Sequence, residues 1–154
     1  LDTTRDATPM SLDNEQAISK ALQSKTIAVV GLSNSPERPS YDVANYLKSH
    51  GYRIVPINPT IDEVLGEKSY KSLLDLPDQL KSEIEVVDIF RRPEDIPPIV
   101  EQAAELRKRY NHPNVVWMQL GIVNEDAAET ARSAGMDVVM DRCMKIEHAR
   151  RLGR

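Results

Sequence analysis

The chain predicts an α/β fold, a doubly wound and mostly parallel sheet in a single domain, and three observations carry that expectation. Short runs rich in valine and isoleucine recur at Thr26–Val30, Tyr52–Pro56, Ile84–Phe90, Asn114–Met118 and Asp137–Met140. They are apolar throughout instead of alternating with polar residues, as in strands buried on both faces. Segments with helical apolar spacing lie between them, and strands that alternate with helices build a parallel sheet covered on both sides. Right-handed crossovers then wind the sheet in both directions from its centre.

Each element has its own signal. Residues 1–12 read as a flexible tail, and 13–154 as the domain. Asp13 is the expected cap of a helix over Asn14–Gln23, with Ile18 and Leu22 on one face. Ser40 is the expected cap of a helix over Tyr41–Ser49, whose apolar stripe is Val43, Ala44, Tyr46 and Leu47, and His50-Gly51 ends it. A short edge strand and a turn of helix are expected between Leu65 and Leu74. The next helix spans about Glu94–Arg109, with Pro97 and Pro98 in its first turn, where a missing N–H costs little. Asn124 is the expected cap of a helix to Ser133, closed by Ala134-Gly135, and Met144–Arg150 is the last helix.

Ligands of such sheets sit beyond the carboxyl ends of the strands, where the strand order reverses. Four loops meet there: Gly31–Ser40, Ile57–Thr60, Phe90–Glu94 and Gln119–Asn124. In the first, a buried strand ends in Gly31, which allows a sharp turn and a close approach. Leu32 follows, and then Ser33, Asn34 and Ser35 offer hydroxyls, an amide and backbone N–H groups, while Arg38 offers a fork of donors suited to phosphate. A turn glycine and a solvated arginine are the plain alternative, and the strand–glycine–polar loop–helix context favours a phosphate site. The dinucleotide fingerprint wants glycines at the first, third and sixth positions, and here they are Gly31, Ser33 and Pro36. The acid that would bind a ribose 2′-hydroxyl after the second strand is missing too, since Asn58 and Pro59 stand there and the nearest acid is Asp62. Both facts disfavour NAD. Read as a dipeptide, Asn58-Pro59 is first of all a turn. Arg91 and Arg92 serve equally as ligand contacts or as partners of Asp88, Glu94 or Asp95, and Trp117 and Met118 read as core, with Gln119 beyond them within reach of the cleft.

Composition narrows the classes. Net charge is −4, with acids and bases interspersed and no basic stripe, so nucleic acid is not an expected partner. No apolar run approaches the roughly 18 residues that span a bilayer, so no membrane is expected, and residues 1–10 do not read as a signal peptide. The first residue is Leu1, so the native start is expected upstream or trimmed. One cysteine, Cys143, permits no internal disulfide and no zinc pattern, and His50, His112 and His148 form no metal-ligand pair. A soluble cytoplasmic protein without a metal is the expectation.

Taken in order, the motifs resemble the small stand-alone CoA-binding protein family, a Rossmann-like domain related to the CoA-binding domain of the succinyl-CoA synthetase alpha subunit. The resemblance is carried by Val30-Gly31-Leu32-Ser33, Arg38-Pro39-Ser40-Tyr41, Gly51-Tyr52-Arg53-Ile54, Pro56-Ile57-Asn58-Pro59 and Asp88-Ile89-Phe90-Arg91-Arg92-Pro93-Glu94. Trp117-Met118-Gln119-Leu120-Gly121 with Asn124, and Asp141-Arg142-Cys143-Met144-Lys145, complete it. It covers about Asp13–His148; the basic stretch Leu106–Pro113 departs from it, on the amino side of the following strand. The resemblance implies a coenzyme A or acyl-CoA ligand. It places the diphosphate on Gly31–Ser35 and the helix entered through Ser40, a phosphate, the 3′ one, on Arg38, and the adenosine beside Asn58 and Pro59. Phe90 and Arg91 border the adenosine or pantetheine, and Gln119, Gly121 and Ile122 lie near the thiol end. The synthetase's catalytic histidine and second domain have no counterpart.

The expected function is therefore a non-catalytic CoA-binding carrier, sensor or regulatory module; a protein partner or a homodimer is left open. An NAD(P)-linked oxidoreductase is the alternative, resting on fold analogy alone. A hydrolytic reading is weaker still. Gly31-Leu32-Ser33-Asn34-Ser35 is one glycine short of a nucleophile elbow, and Asp88 or Asp141 and then His148 follow in the required order. Cys143 is expected to pack in the core; the other reading lets Arg142 and Lys145 activate it for disulfide exchange with a CoA thiol.

Overall fold

The computed structural model describes residues 10–153; residues 1–9, most of the predicted tail, lie outside it. Five strands form one sheet: β1 (Thr26–Val30), β2 (Arg53–Ile57), β5 (Val86–Ile89), β6 (Val115–Met118) and β7 (Asp137–Val139). Their order is β2-β1-β5-β6-β7, and every pairing is parallel. Between β2 and β5 the chain makes a small hairpin, β3 (Glu63–Val64) with β4 (Glu67–Lys68). The helices are α1 (Met10–Leu22), α2 (Pro39–Ser49), the short α3 (Asp78–Lys81), α4 (Ile96–Tyr110), α5 (Glu125–Ser133) and α6 (Met144–Arg151). The predicted α/β architecture is the one observed.

Strand periodicity builds a core on each side of the sheet. Ala28, Val30, Val87, Ile89, Val116 and Met118 face α4 and α5, where Val100, Ala103, Leu106, Ala127 and Ala131 close over them. Ile27, Val29, Val86, Val115 and Trp117 face the other way, against Ile18, Ala21, Val43, Leu47 and Met144 of α1, α2 and α6. One buried carboxyl breaks this pattern: Asp88 of β5 is fully buried, in register with Val29 and Trp117. Neither of its carboxylate oxygens has a hydrogen-bond partner. Burial pushes the pKa of its carboxyl well above the usual range, because the charged form loses its hydration there.

Element ends show where local chemistry was read correctly and where not. Asn124 caps α5 as expected, its Oδ1 accepting the Ala127 N–H at 2.9 Å. Pro97 and Pro98 occupy the first turn of α4. Helix α1, however, starts at Met10, so Asp13 stands inside it and not at its cap. Helix α2 starts at Pro39, where a proline needs no N–H partner, so Arg38 is its N-cap and Ser40 lies in the first turn. The expected edge strand is instead the β3–β4 hairpin, after which Tyr70 adds a single parallel bridge to Ile57. Leu65, at φ +55, and Gly66, at φ +76, make the hairpin turn. The basic stretch 106–113 ends α4 and enters β6 at its amino end, away from the cleft described next. No helix among the described residues is long and apolar enough to cross a membrane.

Candidate functional site

The chain leaves β1 toward β2 on one side, then returns to β5 on the other. The strand order therefore reverses between β1 and β5, and a crevice opens above their carboxyl ends. It encloses about 890 Å³, lined by segments from all four predicted loops together with Cys143. The strand order ranks those segments across the sheet. Asn58, Thr60 and Ile61 come after β2, and Gly31 to Ser40 after β1. Phe90 to Asp95 come after β5, Gln119 to Ile122 after β6, and Cys143 after β7.

Gly31 forms the floor. Its φ is +87, and its N–H donates to the Ile57 carbonyl at 2.8 Å. A β-carbon here would collide with the Phe90 carbonyl and lie 3.0 Å from the Arg91 Cδ. Glycine thus lets the first turn pass against the β5 loop, with the Arg91 stem laid over it. The polar loop is then knitted to itself. The Ser33 N–H donates to Ser40 Oγ at 2.9 Å, and the Ser35 N–H donates to Ser33 Oγ at 3.0 Å. Ser40 is therefore a strut for the loop and not the helix cap, and two of the N–H groups expected for a phosphate are spent inside the protein.

Asn58 does a similar job. Its Nδ2 donates to the Leu32 carbonyl at 2.9 Å, and its Oδ1 accepts from both the N–H and the hydroxyl of Thr60, at 2.9 and 2.8 Å. The turn reading holds, and the turn ties the β2 loop to the β1 loop while Asn58 still faces the crevice.

The charge is asymmetric. Arg38, Arg91 and Arg92 line the crevice with one acid, Asp95. Arg92 is engaged by Asp95 at 3.1 Å and Glu94 at 3.6 Å, whereas Arg91 reaches Asp95 only at 4.0 Å. Arg38 makes no ion pair among the described residues, and Asp88 pairs with none of the arginines. Arg38 and Arg91 are thus the cations left for an anionic ligand.

Of the predicted site residues, the crevice brings together Gly31, Ser33, Asn34, Arg38, Ser40, Asn58, Phe90, Arg91, Gln119 and Ile122. Leu32, Ser35, Pro59 and Gly121 are not among its lining, and Leu32 is fully buried in the core between the sheet and α2. Pro39, Val43, Thr60, Ile61, Arg92, Asp95, Leu120 and Cys143 line it as well. Several of these stand next to predicted residues, but Val43 and Ile61 were legible only as apolar positions.

Cys143 is half-buried, at the N-cap of α6, packed partly against the core yet open to the crevice. The cations that the alternative reading would use to activate it are turned to other partners, Arg142 to Glu147 at 3.3 Å and Lys145 to Asp42 at 2.8 Å. The hydrolytic constellation is not assembled. His148 is buried between α2 and α6, its Nδ1 2.9 Å from the Tyr46 hydroxyl, and Asp88 has no partner at all. Burial, with His50 beside it, lowers the pKa of His148.

Comparison with known proteins places the chain in a family. A family model described as a CoA binding domain matches residues 25–149. The uncharacterized protein YneT of Bacillus subtilis is 40% identical over 141 residues, 91% of this chain and 98% of the relative. A hypothetical protein from Pyrococcus horikoshii superposes with a TM-score of 0.80 at 42% identity, covering 91% of this chain and 92% of the other. An ADP-forming acetate–CoA ligase from Archaeoglobus fulgidus is 38% identical over 58 residues, 36% of this chain but 9% of the ligase. The chain therefore belongs to the CoA-binding domain family.

Proposed function

We propose that the crevice binds coenzyme A, free or acylated, and that the chain acts as a carrier, sensor or regulatory module and not as an enzyme. The observation that carries the reading is a crevice at the switch point lined by Arg38, which has no ion pair among the described residues, and Arg91, held by Asp95 only at 4.0 Å, with Gly31 as its floor. A long, anionic ligand fits the ranked order of the loops. The adenosine lies toward Asn58, the phosphates between the start of α2 and Arg91, and the thiol arm toward Gln119 and Ile122. Because Ser33 and Ser35 spend their N–H groups internally, phosphate recognition falls to side chains and to the positive end of the α2 dipole. The non-catalytic part of the reading is supported by the hydrolytic pattern's own residues: Ser33, where the elbow would put its nucleophile, is hydrogen-bonded within its own loop, and His148 is turned away toward Tyr46.

Isothermal titration with coenzyme A, dephospho-CoA and NAD tests the proposal. Binding of coenzyme A with a dissociation constant on the order of micromolar is expected, weaker for dephospho-CoA, and absent for NAD. Replacing Arg38 with alanine is expected to weaken coenzyme A by roughly tenfold or more and dephospho-CoA hardly at all, since a charge-assisted contact to the 3′-phosphate is lost. Undetectable coenzyme A binding, or fluorescence enhancement of NADPH in its place, overturns the reading.

A further inference from the structure

We propose that Asp141 is a positioning residue that holds the β6–α5 loop in the shape that receives the thiol-bearing arm of the ligand; this rests on the coenzyme A reading above. Asp141 sits between β7 and α6 with φ +60, the left-handed conformation that a β-carbon disfavours and glycine adopts freely. Its side chain is aimed at the neighbouring loop, where Oδ1 accepts the Gly121 N–H at 2.6 Å. Gly121 has φ +82, and a β-carbon on it would meet nothing within 4 Å, so its glycine serves backbone conformation alone. The residues flanking it, Gln119, Leu120 and Ile122, all line the crevice.

Fold stability does not account for this arrangement. The same two loops are already joined on their buried side. Trp117 Nε1 donates to the Arg142 carbonyl at 2.8 Å, and the Met144 N–H donates to Gln119 Oε1 at 3.2 Å. Asp141 is exposed and adds a contact only at the outer rim, in a backbone conformation that penalises it. A residue held in a left-handed conformation at the edge of a cleft, and bonded to a loop N–H whose neighbours line the wall, is placed for the wall and not for the core.

Two variants and two probes test this. Coenzyme A carries the arm; adenosine 3′,5′-bisphosphate lacks it. Asp141→Gly relieves the backbone penalty and deletes the contact. It is expected to melt no lower than the wild type, to bind coenzyme A roughly tenfold more weakly, and to bind the bisphosphate unchanged. Asp141→Asn tolerates the same backbone and retains an acceptor oxygen, so both affinities are expected near the wild-type values. A glycine variant that binds coenzyme A as the wild type does, or that loses both probes equally, overturns the proposal while the coenzyme A reading stands. A wild type that binds neither probe removes the reading, and this proposal with it.

Discussion

Gly31→Ala is expected to abolish the proposed coenzyme A binding and to destabilise the fold by at least about 2 kcal/mol. Two costs combine. The first is conformational, because φ +87 is unfavourable for any residue with a β-carbon. The second is steric, because that carbon lands on the Phe90 carbonyl and crowds Arg91 Cδ at 3.0 Å. Relief requires the β1 and β5 loops to part, which displaces the floor and the Arg91 stem together. Gly51 supplies the control. Its φ is +97, yet a β-carbon there would meet nothing within 4 Å. Gly51→Ala therefore bears only the conformational cost, about 1–2 kcal/mol, and keeps ligand affinity. Chemical denaturation and titration of the two variants side by side separate the terms. Equal stability and equal affinity in both would show that the floor does not depend on close approach.

Replacing Asp88 produces the second large effect, and it runs in the opposite direction. A buried carboxyl with no partner costs the desolvation of its polar atoms. Asp88→Val is expected to raise stability at pH 7 by roughly 1–3 kcal/mol. The pH dependence distinguishes this from simple packing. Burial raises the carboxyl's folded-state pKa, while in the unfolded chain it ionises at about pH 3.9. Between those two values the folded protein holds one proton more than the unfolded chain. Stability is therefore greatest below the unfolded pKa and falls as pH rises toward the folded one, by about 1.4 kcal/mol per pH unit for one proton. Asp88→Asn keeps the shape, leaves a polar group unpartnered and removes this slope; Asp88→Val removes both the slope and the unpartnered group. Denaturation midpoints across pH 4 to 8 read the difference, and a slope in Asp88→Val equal to that of the wild type would contradict the account.

What the sequence makes legible, and what it does not, follows a physical line. The five sheet strands were legible because each is a short apolar run flanked by turn residues, a signal that tertiary context only reinforces. The Asn124 cap was legible because the residue type and the following acids agree. Ser40 was misread because serine looks like a cap, whereas Pro39 takes the first helical position and frees the hydroxyl to brace Ser33. The β3–β4 turn is hard to read from sequence because Leu65, and not glycine or asparagine, occupies the first of its two left-handed positions, with Gly66 at the second. In the crevice, the switch-point rule identifies loops but not the direction of each side chain. Thus Leu32 turns into the core, and Val43, from the body of α2, joins the wall although its sequence signal was that of a core residue. Asp88 reads in sequence as one of three possible partners for Arg91 and Arg92; its place inside an apolar strand already implies burial, but not that both carboxylate oxygens are left without a partner.

The central claim concerns where the ligand lies, and amide chemical shifts of isotope-labelled protein titrated with coenzyme A test it most directly. The account predicts that Gly31, Asn34, Arg38, Arg91 and Ile122 shift on saturation, while Arg107 to Asn114, at the amino ends of the strands, stay fixed. Shifts confined to that opposite edge, or none at saturating coenzyme A, would contradict it.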